Sequence, residues 1–114
     1  MYYIYMVRCA DESIYTGIAA HLGRRLRQHV DKAPAAAKYT RSRAVTALEA
    51  AWTTADRAAA SRMESAVKRL PRAKKLELIA HPAKLPELLP RLCAEEYTHL
   101  PGLTLEDCLK GETP

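Results

Sequence analysis

Residues 2–9, Tyr-Tyr-Ile-Tyr-Met-Val-Arg-Cys, are apolar on both parities and rich in aromatic and β-branched types. So short a run of these types predicts a strand. Period-two geometry puts Tyr3, Tyr5 and Val7 on one face and Tyr2, Ile4 and Met6 on the other. A strand apolar on both faces is expected inside a sheet, covered on both sides or lying beside a functional cleft. Ala-Asp-Glu-Ser at 10–13 is a polar turn, and Ile14 to Ile18 form the returning strand of a hairpin.

Further along, the period lengthens. Leu22, Leu26 and Val30 recur at i, i+4, i+8, which predicts a helix over 22–30 with those three as its buried stripe. Residues 33–37 are Ala-rich and contain Pro34, a composition that predicts a loop. Residues 44–52 predict a third strand with Leu48 and Trp52 on one face and Val45 and Ala47 on the other, Trp52 being core. A long helix, capped by Asp56 or Thr54, is expected to run to Leu70 and to bury Ala60, Met63, Val67 and Leu70. Pro71 then suits the first turn of a Lys-rich helix over 72–80, which must stop before Pro82.

The fold class expected is α/β of the α+β kind, a central three-stranded antiparallel sheet flanked by helices. Five of the seven prolines lie from Pro82 onward. There Leu85, Leu88, Leu89 and Leu92 predict a short amphipathic helix, and Thr104 to Leu109 another, with Thr104 as cap and Gly111 past its end. Residues 1–81 therefore form one domain, and residues 82–114 a Pro/Leu-rich helical extension packed on it.

Composition narrows the function. With 114 residues, no Phe and one Trp, the core is small. No apolar run reaches the ~20 residues that cross a membrane, and no leader pattern opens the chain, so a cytoplasmic protein without a membrane partner is expected. Cys9, Cys93 and Cys108 lack C-x-x-C spacing and an even count, which argues against zinc and a disulfide framework. Charge is divided unevenly. Residues 1–81 hold 15 Lys and Arg against 7 Asp and Glu, while residues 82–114 hold 3 against 6. The first part is the one suited to face phosphate.

Five side chains carry candidate chemistry. Tyr5 on the first strand can take a proton from water if a nearby cation lowers its phenol pKa from ~10. Arg25 can offer two parallel N–H donors to phosphate oxygens. Tyr15 and His29 can position phosphate and water, with His29 an alternative base. Glu64 can hold one Mg²⁺ or Mn²⁺ that keeps most of its waters. Because it is the one carboxylate at a suitable position, a two-metal clamp is disfavoured. Singly, each has an ordinary explanation as sheet packing or solvated charge. Gly17, most simply a close approach of backbone, leaves room for phosphate beside Tyr15. Tyr39, in a basic loop, is a candidate for base stacking.

Together these residues resemble a GIY-YIG nuclease over residues 1 to about 80. The motifs are Tyr3-Ile4-Tyr5 and Tyr15-Thr16-Gly17, with Arg25 eight positions after Gly17, and Glu64 on a later helix. With His29, Lys38-Tyr39-Thr40-Arg41 and the Lys-rich segment after Glu64, the chain is similar to the small stand-alone bacterial group, some members of which are single-strand-specific DNA endonucleases. Tyr3 replaces the Gly of the family name. The chain also has no Asn, where many members carry one beyond the acidic residue, and Lys74 or Lys75 is the candidate replacement.

The resemblance implies a metal-dependent endonuclease acting on DNA, single-stranded by expectation, with branched or flap DNA as the alternative. Tyr5, Tyr15, Arg25, His29 and Glu64 are the expected catalytic residues, with Glu64 on the metal. Gly17, Arg24, Arg27, Lys38, Tyr39, Thr40, Arg41, Arg43, Lys68 and Lys74 are expected to bind substrate, several through the backbone. A monomer is expected. Competing readings are a nucleic-acid-binding module without turnover and a small partner-binding protein whose Leu-rich tail is a dimer contact.

Overall fold

The hairpin pattern becomes β1 (Tyr2–Cys9) and β2 (Ile14–Ala19) of a computed structural model that describes residues 1–31 and 43–111. Between them, Asp11 Oδ1 accepts from the Ser13 backbone N–H at 3.1 Å, and Glu12 takes a left-handed φ of 68°. Helix α1 (Leu22–Val30) follows, then β3 (Val45–Thr54). The sheet order is β2-β1-β3-β4, antiparallel throughout, so the strand that is apolar on both faces lies inside it.

Helix α2 (Arg57–Lys68) is capped by Asp56, whose side chain accepts from the Ala59 N–H at 2.9 Å. Helix α3 (Arg72–Ala80) begins just after Pro71, which occupies the N-cap position and not the first turn. From Pro82 the chain makes a 3₁₀ turn, then the short helix α4 (Leu85–Leu88). Beyond a second 3₁₀ turn come β4 (Thr98–His99) and α5 (Leu105–Leu109). Thr104 and Asp107 form a reciprocal capping box on α5, and Gly111 follows it at φ 80°. Among the described residues, no helix is long and apolar enough to cross a membrane.

Each face of β1 carries its own core. Ile4 and Met6 pack with Trp52, Ala60, Met63 and Val67, and this layer is closed by Leu78, Leu85, Leu89 and Tyr97. On the other face Tyr3, Tyr5 and Val7 pack with Leu22, Leu26, Leu48 and Cys108. Residues beyond Pro82 thus contribute to both layers. Within the first, the Tyr97 hydroxyl donates to the Ala59 carbonyl at 2.6 Å. The extension also supplies a fourth strand, pairing His99 with Trp52.

Two expectations about faces are corrected. Leu48 and Trp52 lie on opposite faces, because the β1–β3 register shifts between Met6 and Val7. Met6 pairs with Ala50 but Val7 pairs with Leu48, leaving Glu49 as an extra residue that reverses the alternation. On α1, the buried residues are Leu22, Leu26 and His29, with Val30 only partly covered. The apolar stripe is turned toward an imidazole, and the reason is a buried partner for that imidazole.

Candidate active site

Tyr5 lies opposite Gly17 across the hairpin. A Cβ on Gly17 would stand 2.5 Å from the Tyr5 hydroxyl oxygen and 2.6 Å from its Cζ, so the missing side chain is what lets the phenol lie flat over β2. The expectation that Gly17 opens space for phosphate is corrected: the Tyr5 ring fills that space.

From this position the Tyr5 hydroxyl meets His29 Nε2 at 2.8 Å, both side chains being buried. Burial pushes the Tyr5 phenol well above its ordinary range. Tyr15 adds to the rise, the Arg25 guanidinium opposes it, and the Glu64 carboxylate adds a smaller push upward. A lowered phenol pKa is therefore not what the site has built without a bound cation. His29 moves the other way, to about 4, because of burial and then the adjacent Arg25 charge. At neutral pH both rings are uncharged. The imidazole tautomer sets which of the two donates: with the proton on Nδ1, the phenol donates to the Nε2 lone pair.

Tyr15 completes an aromatic cluster, its ring centroid 6.4 Å from that of Tyr5 and 5.7 Å from that of His29. Lys68 Nζ lies 5.6 Å from the Tyr15 centroid and 3.3 Å from Glu64 Oε2, so the ammonium bridges the tyrosine and the carboxylate. Arg25 Nη1 donates to Gln28 Oε1 at 2.9 Å. Gln28 escaped the sequence reading. Its i+3 spacing from Arg25 was the available signal. Arg24 is exposed beside this group and lines a shallow pocket of about 170 Å³ with Arg25, His21 and Gln28.

Three expected phosphate contacts are engaged elsewhere. Arg27 Nη2 donates to the Leu109 carbonyl at 3.0 Å, tying α1 to the end of α5. Arg43 pairs with Asp11 of the hairpin turn at 2.8 Å, and Lys74 with Glu77 on its own helix at 3.3 Å. Lys38, Tyr39, Thr40 and Arg41 lie outside the described residues.

No three His, Cys, Asp or Glu converge as a metal cage among the described residues. The donor set at the cluster is the single carboxylate of Glu64, close enough for its charge to reach Tyr5. One carboxylate fits a hard divalent cation that keeps its waters and does not fit structural zinc.

A family model for the GIY-YIG catalytic domain matches residues 1–77. The chain belongs to the GIY-YIG family of nuclease domains. Among its relatives are UPF0213 protein DP2720 of Desulfotalea psychrophila, 40% identical over 78 residues spanning 68% of this chain and 70% of that one. UPF0213 protein YhbQ of Escherichia coli is 36% identical over 91 residues, 80% of this chain and 89% of the relative. The solution NMR structure of UPF0213 protein BH0048 from Bacillus halodurans is 35% identical, covering 82% of this chain and 98% of that one, with a TM-score of 0.47.

Proposed function

We propose that the protein is an endonuclease that hydrolyses DNA phosphodiester bonds with one divalent cation, acting on single-stranded DNA. The observation that carries this reading is the Tyr5–His29 hydrogen bond, 2.8 Å long, at a spot also reached by the charges of Arg25 and Glu64. Phosphodiester hydrolysis needs a proton acceptor for the attacking water and positive charge for the phosphoryl oxygens.

The Tyr5 oxygen accepts a proton from water while its own proton passes to His29 Nε2. The pair thus serves as base without a standing phenolate. Arg25, held by Gln28, presents its guanidinium to the non-bridging oxygens, and Arg24 adds charge at the pocket beside it. Tyr15 packs against His29 and keeps the imidazole facing Tyr5. Glu64 would hold Mg²⁺ or Mn²⁺, which supplies charge neutralisation and a bound water able to protonate the leaving oxygen. Lys68 must release Glu64 for this, and its exposed position allows it to swing toward phosphate. Single-stranded substrate is favoured because the reacting hydroxyl is recessed, and a flexible strand can bring its phosphate to such a group more easily than a stiff duplex.

The test is a cleavage panel on labelled single-stranded, flap and duplex oligonucleotides with Mg²⁺, Mn²⁺ or chelator. Cutting of the single strand with metal is expected, lost in Glu64→Gln while binding in chelator persists. Wild-type protein that binds DNA but leaves every substrate whole with either metal is instead a binding module.

A further inference from the structure

The outer face of α2 joins the cluster to a second concavity. Going round the helix from Glu64, the outward positions run Lys68, Ser61, Ser65, Arg69, Arg62, and then reach Ala66 and Leu70, with Ser61 half-buried. Ser61, Arg62, Ser65 and Arg69 together line a shallow depression of about 400 Å³. It adjoins a groove of about 390 Å³ that shares Arg62 and Arg69. The groove floor is aliphatic, from Ala66 and Leu70 on one wall and Leu88, Leu89 and Leu92 on the other, with Arg91 at the rim. Among the described residues, no acidic side chain lines either space. Glu96 meets Arg62 at 3.4 Å, between two exposed groups.

We infer that this face is a nucleic-acid track: phosphates of a single strand cross α2 over Ser61, Ser65, Arg69 and Arg62, and one base lodges in the aliphatic groove beneath Arg91. This rests on the reading of the cluster as a nuclease site and adds where the strand goes after leaving it. Three features fit that occupant. Hydroxyls and guanidiniums at helical spacing match a chain of phosphate acceptors. An apolar slot edged by guanidinium groups suits the flat face of a base, which packs on apolar surface and stacks on Arg planes without regard to its identity. The track is also continuous with Lys68, which touches the cluster.

Half of the groove comes from residues 88–92, beyond the 1–77 span of the family domain. The extension then has a substrate role in addition to closing the core.

The test measures binding of labelled single strands of about four to twelve nucleotides, by fluorescence anisotropy in chelator between about 50 and 200 mM salt, alongside cleavage with Mn²⁺. Wild-type affinity should climb as the strand lengthens enough to cross α2. In the Arg69→Ser/Arg91→Ser double variant most of that climb should vanish, about ten-fold for the longest strand, with the salt slope shallower by about 0.7 for the phosphate contact that Arg69 makes. Ala66→Glu, which puts a carboxylate in the floor, should do the same. An unchanged unfolding midpoint shows that both variants fold. If wild type cuts DNA but neither variant alters the length dependence, the track is wrong and the nuclease reading stands. If wild type binds with the predicted dependence and never cuts, the nuclease reading falls and the track remains. Absence of any DNA binding overturns both.

Discussion

The Tyr5 phenol lies directly over Gly17, with its hydroxyl oxygen only 2.5 Å from where a Cβ would stand. The two are cross-strand partners, and the ring's far end is fixed by His29 at 2.8 Å. Gly17→Ala therefore cannot be absorbed by a free side chain. The ring must tilt off the imidazole. We expect a loss of about 1–3 kcal/mol in urea unfolding, the usual cost of forcing extra volume into a packed site, together with loss of cutting. Wild-type stability and activity in this variant would contradict the steric account.

Tyr5→Phe keeps the ring over Gly17 and removes only the hydroxyl. The hydrogen bond to His29 Nε2 is then lost, a cost of about 1–2 kcal/mol. Cleavage should fall about 10²–10⁴-fold, the range for removing a positioned base, with binding in chelator unchanged. Loss of binding equal to the loss of cutting would show instead that the hydroxyl acts on the bound strand and not on water.

His29 makes stability depend on pH. Its folded pKa, about 4, lies below the ordinary ~6.5, so between those values the unfolded chain binds the extra proton. The stabilisation is complete above pH ~6.5 and is lost as pH falls toward 4, by up to about 3 kcal/mol. Urea unfolding at pH 7 and pH 4.5 checks this, with His29→Leu as control. Carboxylates titrating nearby affect both proteins, so the prediction is that the decline is smaller in the variant. Parallel declines would mean that His29 is not the group responsible.

Arg27 separates architecture from substrate binding. Its bond to the Leu109 carbonyl neutralises the end of α5 and joins the extension to α1. Arg27→Ala should lower stability by about 0.5–1 kcal/mol and leave the salt slope of DNA binding as in wild type. A shallower slope would return Arg27 to the set of phosphate contacts.

Local patterns were legible wherever one rule decided the outcome. An apolar run on both parities placed β1 between two neighbours, because either face exposed would leave aromatic area in water. Asp56 and Thr104 marked their helix starts because a side-chain oxygen there satisfies N–H groups that the helix cannot. The two-residue β4 was not legible, since Thr98 and His99 carry no period and pair only because β3 offers an edge.

From the residues alone came the antiparallel sheet with flanking helices, the family of the chain, and the set Tyr5, Tyr15, Arg25, His29 and Glu64 as the place to look. The sheet and helices follow from alternation and capping, which act between near neighbours along the chain, and the family and the set of residues follow from the resemblance of the motifs. Tertiary structure decided the rest. The extra residue at Glu49 reversed which β3 side chains share a face, Gly17 proved to be a seat for a phenol, and Tyr5 and His29 became a neutral pair. Each of these outcomes depends on which group comes to lie within a few ångströms of another, and on how much water their meeting excludes. Neither quantity exists until the chain has folded.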